Sequence, residues 1–160
     1  MLYSNETIIH VQQPDGMSCI AACLSMVTME NVGTVCDTFM KDYVEGRVTI
    51  PEFLKKYEIE CETHLSAGIH TITDHKVHLL CVPSLNTPGM FHQIVLDTRF
   101  GDLIFLYDPA RGLPNKRYYV MAGTAELNKD SDSYDPLAFP MMSFIIDYTL
   151  TLPELKKTGE

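Results

Sequence analysis

Basic charge is scarce in this chain. Lys and Arg number 12 against 21 Asp plus Glu, a formal net charge of −9. Such a balance argues against a phosphate-backbone binder, which needs a basic face, so no nucleic-acid partner is expected. It also disfavours binding to an anionic membrane surface. Long apolar runs are missing too. Nothing approaches the roughly 18 consecutive apolar residues of a transmembrane helix, so no membrane insertion is expected. The opening MLYSNETIIHVQQ has no Lys or Arg and no extended apolar stretch, and does not read as a secretory signal. The five cysteines, Cys19, Cys23, Cys36, Cys61 and Cys81, form an odd set. Free thiols in a reducing, cytoplasmic setting are expected, not a disulfide framework. There are no internal repeats and no low-complexity tract.

What is present suits one globular domain spanning 1–160. Hydrophobic residues are 46% of the chain and charged residues 21%, enough for a sizeable core. Residues 8–11 read as extended and 13–18 as a loop. Ile20, Cys23, Leu24 and Val27 then recur at helical spacing, which predicts a helix over 19–30 ended by Asn31-Val-Gly33. A second helix is expected over 34–43. Thr49-Ile-Pro-Glu52 fits a capping box, opening a third helix that runs to about Tyr57. Beyond it the apolar period falls to two. Strands are predicted over 59–64, 77–82, 91–98, 103–107 and 141–150, with Tyr118-Tyr-Val120 as a further core strand. The polar, turn-rich segment 123–140 reads as a surface excursion. The fold class is α+β, an N-terminal helical part packed on an antiparallel β-sheet, and a site would lie between the two halves.

The stretch QPDGMSCIAACLSMV, residues 13–27, places Cys19 where a turn-prone run breaks into a helix. Helix N-terminal N–H groups favour a thiolate. A catalytic thiol also needs a base, and the base an orienting group. The segment GMFHQIVLDTRFGDLIFLYDPARG, residues 89–112, supplies both. A three-residue loop Arg99-Phe100-Gly101 would pair Thr98 with Asp102. Counting outward, Leu96 faces Ile104, Val95 faces Phe105, Ile94 faces Leu106 and His92 faces Asp108. His92 and Asp108 then share a face, and Asp97 lies on the other. Asp102 sits at the loop end, about 20 Å from Asp108 at roughly 3.3 Å per residue. Asp15 lies in the turn before Cys19. The reading is Cys19 as nucleophile, His92 as base and Asp108 as orienter. Gln13 joins the Cys19 backbone N–H as oxyanion donor. Gln12 is a close rival to Gln13, separated from it only by spacing.

Gln13, Cys19, Ala22, Cys23 and Leu24, followed by FHQIVL and then YDPARG, resemble the C39 peptidase family in order and spacing. These are papain-like cysteine peptidases best known for trimming double-glycine leader peptides. The resemblance covers about residues 8–120. Ser18 stands where the family has Asp, and Ile20 where it has Gly. The resemblance implies a papain-like fold, a peptide or protein substrate and no cofactor. It gives Gln13, Cys19, His92 and Asp108 the roles of oxyanion donor, nucleophile, base and orienter. Two alternatives use the same residues: another thiol acyl-transfer reaction, such as deamidation or isopeptide cleavage, and a peptide- or protein-binding relative without turnover.

Each of these residues also has a plain structural reading. Cys19 fits a buried helix position, His92 a strand histidine, and Asp108-Pro109 a strand-ending turn. Cys23 and Cys36 read as core. Cys61, His64, His70, His75, His78 and Cys81 have zinc-ligand chemistry, but their spacing matches no compact zinc motif, and no metal site is expected. Met90, Met121, Met141 and Met142 read as packing.

Overall fold

The structure, a computed structural model, describes residues 1–64 and 72–155. The chain is α+β: a few helices packed on an antiparallel sheet. Helix α1 (Cys19–Thr28) ends at Met29, whose φ of 64° is left-handed. Asn31 therefore does not stop α1 but starts the next helix. Its side chain accepts from the Gly33 and Thr34 N–H groups and opens α2 (Val32–Val35). The chain continues helically through a π-helical stretch (Cys36–Met40) into α3 (Lys41–Val44). Helix α4 (Ile50–Lys55) opens as its sequence predicts, with Thr49 accepting from the Glu52 N–H, but stops short of Tyr57. Phe39 stacks on Tyr43 and tilts against Phe53, tying the π-helical stretch to α3 and α4.

Five strands form the main sheet, in the order β1-β7-β2-β3-β4. They are β1 (Glu60–Thr63), β2 (Val77–Pro83), β3 (Phe91–Phe100), β4 (Leu103–Tyr107) and β7 (Ile145–Thr151). A small parallel pair joins β5 (Tyr118–Val120) to β6 (Ala138–Pro140), so the excursion 123–140 returns as a strand. No regular structure forms over 8–11, although Ile8 is buried. The sheet is covered on both faces. Leu79, Val95, Tyr107 and Leu150 pack under the helices with Leu24, Val27 and Leu54. Leu80, Ile94, Leu96 and Leu106 pack on the far side with Tyr119 and Phe139.

The β3–β4 hairpin differs in register from the sequence reading. Leu96 faces Leu106 instead of Ile104, and Val95 faces Tyr107 instead of Phe105, a shift of two residues. Phe100 faces Leu103, so the turn is the tight pair Gly101-Asp102, with φ 64° at Gly101, and an irregularity between Asp97 and Phe100 takes up the difference. A shift of two preserves facing, because side chains alternate with period two. Asp97 remains on the face opposite His92. There it is fully buried and paired with Arg99, whose guanidinium also donates to the carbonyls of Tyr3, Ser4 and Glu6.

Candidate active site

Cys19 is the first residue of α1. The Ser18 hydroxyl bonds the Asp15 backbone and makes no cap bond to the helix. Strand β4 pairs with β3 only as far as Val95, so the backbone groups of Gln93 need partners elsewhere. Helix α1 provides them. The Gln93 N–H donates to Cys19, and the buried Cys23 thiol donates to the Gln93 carbonyl at 3.3 Å. One residue of β3 thus fixes two successive cysteines of α1 beside His92.

His92 Nε2 donates to Asp108 Oδ1 at 2.6 Å. A carboxylate only accepts, so Nε2 carries the proton in this contact and Nδ1 is the ring nitrogen left for Cys19. Asp108 is held from every side. Oδ1 also accepts the Ala110 N–H at 2.8 Å, and Oδ2 accepts the Tyr119 N–H at 2.8 Å. The His10 ring donates to the Asp108 carbonyl at 2.7 Å. Burial pushes the His92 pKa down. The hydrogen bonds and charges of Asp108 and Cys19 outweigh it and raise His92 to about 9. Burial likewise pushes the Cys19 thiol up, but His92 and the Gln93 and Ile20 amides bring it below its ordinary value. The other thiols have no such counterweight and burial leaves them above their ordinary value: Cys23 well up, Cys36 and Cys81 up, and Cys61 to about 11. The arrangement can hold a thiolate–imidazolium pair at neutral pH.

Gln13 is buried, its N–H donates to the Pro109 carbonyl, and its Nε2 donates to the Asp15 carbonyl at 2.7 Å. Its Oε1 is buried without a hydrogen-bond partner among the described residues. Gln12 is exposed and lies against Gly112, where any Cβ would meet its Oε1 at 2.6 Å. Asp15 receives the Met17 N–H at 2.8 Å, and Asp102 sits in the hairpin turn. Among the described residues, no group of three or more His, Cys, Asp or Glu side chains could hold a metal ion. His64 and His78 both meet the Thr149 hydroxyl, while His70 lies outside the described residues. No helix among those residues is long and apolar enough to cross a membrane.

A cleft of about 220 Å³ opens over Cys19 and His92. Tyr43 and Ile20 stand on its helical side, and Cys81, Gln93, Asp147 and Tyr148 on its sheet side. Sequence reasoning did not single out His10, Gln93, Ala110, Tyr119 or Asp147 for the site. Only Ala110 had a local signal, since an Asp commonly bonds the amide two residues on. The others reach the site through tertiary structure. Comparison with protein-family models, with curated proteins and with solved structures returned no match.

Proposed function

We propose that this protein is a papain-like cysteine peptidase of the C39 type, hydrolysing an amide bond of a peptide or protein substrate. One observation carries the reading. The only thiol of the five pushed toward its thiolate is the one that bonds a histidine, and that histidine is held by a buried carboxylate. The placement of nucleophile on a helix N-terminus and base on a facing antiparallel sheet supports the papain-like assignment.

In the proposed reaction the Cys19 sulfur attacks the substrate carbonyl carbon, a C–S bond forms, and the carbonyl electrons move to oxygen. The Cys19 backbone N–H is the donor assigned to that oxyanion, and Gln13 can add only the Nε2 hydrogen that it does not give to the Asp15 carbonyl. The C–N bond then breaks as the imidazolium gives its Nδ1 proton to the leaving amine. Water attacks the resulting thioester and gives a proton to the now neutral His92. Loss of the thiolate releases the acid and restores the ion pair. Asp108 keeps the Nε2–H in place throughout and stabilises the imidazolium.

The test is to incubate a host proteome with the pure protein and map new peptide N-termini by mass spectrometry, with Cys19→Ala and His92→Ala in parallel. Expected are termini that appear with the native protein and with neither variant. Labelling of Cys19 by a thiol-directed probe without any new termini would favour a binding protein that occludes its target. Deamidated glutamines without cleavage would favour the acyl-transfer alternative.

A further inference from the structure

The sheet wall of the cleft contains an irregularity that the proposed chemistry does not use. Along the β2–β7 pair, Leu79 faces Tyr148 but Leu80 faces Ile146. Asp147 is therefore an extra residue with no partner in β2. Bulges of this kind re-aim side chains and recur beside active sites. Here the bulge brings Asp147 and its neighbour Tyr148 together into the cleft that contains Cys19. Gln93 donates its side-chain amide to the Asp147 carboxylate, and half-burial pushes that carboxyl up despite the bond. Burial and then the Asp147 charge also push Tyr43 and Cys81 up, which places the carboxylate among the groups on both sides of the cleft. No Lys or Arg lines this cleft among the described residues. The imidazoles on this cleft are His64 and His92, His64 bonded to Thr149 and His92 to Asp108 and Cys19, and the side-chain donor to the half-desolvated Asp147 carboxylate is the neutral Gln93 amide.

We propose that Asp147 is a specificity-determining residue that accepts the cationic side chain of a Lys or Arg in the substrate peptide. This inference rests on the thiol-peptidase reading of the cleft. The volume of about 220 Å³ is below the range of roughly 300–1,000 Å³ typical of small-molecule pockets and suits a single long side chain. Phe91, on the cleft wall and 71% exposed, can cover the methylene stem of Lys or Arg while the carboxylate takes the head. The net charge of −9 draws in a basic peptide over a longer range.

The experiment uses peptidyl acyloxymethyl ketones that alkylate Cys19 with release of a carboxylate. They carry Lys, norleucine or Glu at the first or second residue from the reactive carbonyl. At one of those positions the Lys label should modify Cys19 at least about tenfold faster than the norleucine label, with Glu slowest. Asp147→Asn should bring the Lys-to-norleucine ratio to about one, Asp147→Glu should keep the preference, and Asp147→Lys should make Glu the fastest label. A native ratio near one at both positions, or a ratio unchanged in Asp147→Asn, overturns the role of Asp147. Iodoacetamide mapping of the native protein separates this from failure of the broader reading: if Cys19 is not the fastest thiol, the peptidase reading itself falls.

Discussion

Gln93 takes part in the site through three groups: its N–H reaches Cys19, its carbonyl receives Cys23, and its amide reaches Asp147. The thiolate is therefore supported by a main-chain contact as well as by His92. Native protein treated with iodoacetamide near pH 7 should be modified at Cys19 first, as peptide mass mapping will determine, and His92→Ala should slow that modification. A Cys19 rate no greater than that of Cys81 would contradict the assigned thiolate. Asp108→Asn loses one acceptor needed by the Ala110 or Tyr119 N–H, or by His92. It should lower turnover by about one to four orders of magnitude, as loss of an orienter does. It should also cost about 1–3 kcal/mol of stability in urea, since a buried donor is left unsatisfied. The pH dependence follows from His92, whose pKa is raised to about 9. A raised pKa contributes stability that is complete below the ordinary value of about 6.5 and is lost as pH rises through about 9. In a Cys19→Ala background, which removes the Cys19 share of the rise and keeps that of Asp108, the stability difference between His92 and His92→Gln proteins should shrink as pH rises above about 6.5 and be gone at a lower pH than in the native background. Turnover should fall above about 9 as the proton for the leaving amine is lost. A difference that grows with pH would reverse the sign of the coupling.

At the scale of elements, the local signals that proved legible were those with a short-range cause. The break at Ser18-Cys19 starts α1, and the Thr49 capping box starts α4. Thr49→Ala should cost about 0.5–2 kcal/mol, measurable as a lower urea midpoint with an unchanged m-value. The hairpin was legible in parity and not in register. Alternation of apolar residues fixes which face a strand buries, but pairs displaced by two satisfy that pattern equally well. The choice fell to Gly101, whose left-handed φ suits the first position of the Gly101-Asp102 turn, and to the irregularity near Asp97. Strand β6 was not legible, because three residues in a polar excursion carry no period of their own; its parallel pairing to β5 is tertiary. The Asp147 bulge left no trace for the same reason, since it exists only relative to β2. The candidate nucleophile, base and orienter stand out as residue types in order. Their supports at His10, Gln93 and Tyr119 do not, because a main-chain donor has no sequence signature.

Across the whole molecule, Arg99 ties the N-terminal segment to the hairpin. Its side chain is 5% exposed, and it meets the fully buried Asp97 at 2.9 Å as well as the carbonyls of Tyr3, Ser4 and Glu6. Removing it strands a buried carboxylate and three carbonyls. Arg99→Ala should cost about 3–5 kcal/mol, a loss visible as a large fall in melting temperature. A change within about 0.5 kcal/mol would mean that water replaces the guanidinium without penalty. The carboxylate cup around Asp108 has a consequence in time. Its last donor, Tyr119, follows Cys19 by 100 residues. At roughly 5–20 residues per second of synthesis, the thiol leaves the ribosome about 5–20 s before the cup can close. During that interval Cys19 is an ordinary thiol beside newly made, unfolded chain, and the activated pair assembles only after nearly the entire fold is available to bury its own backbone.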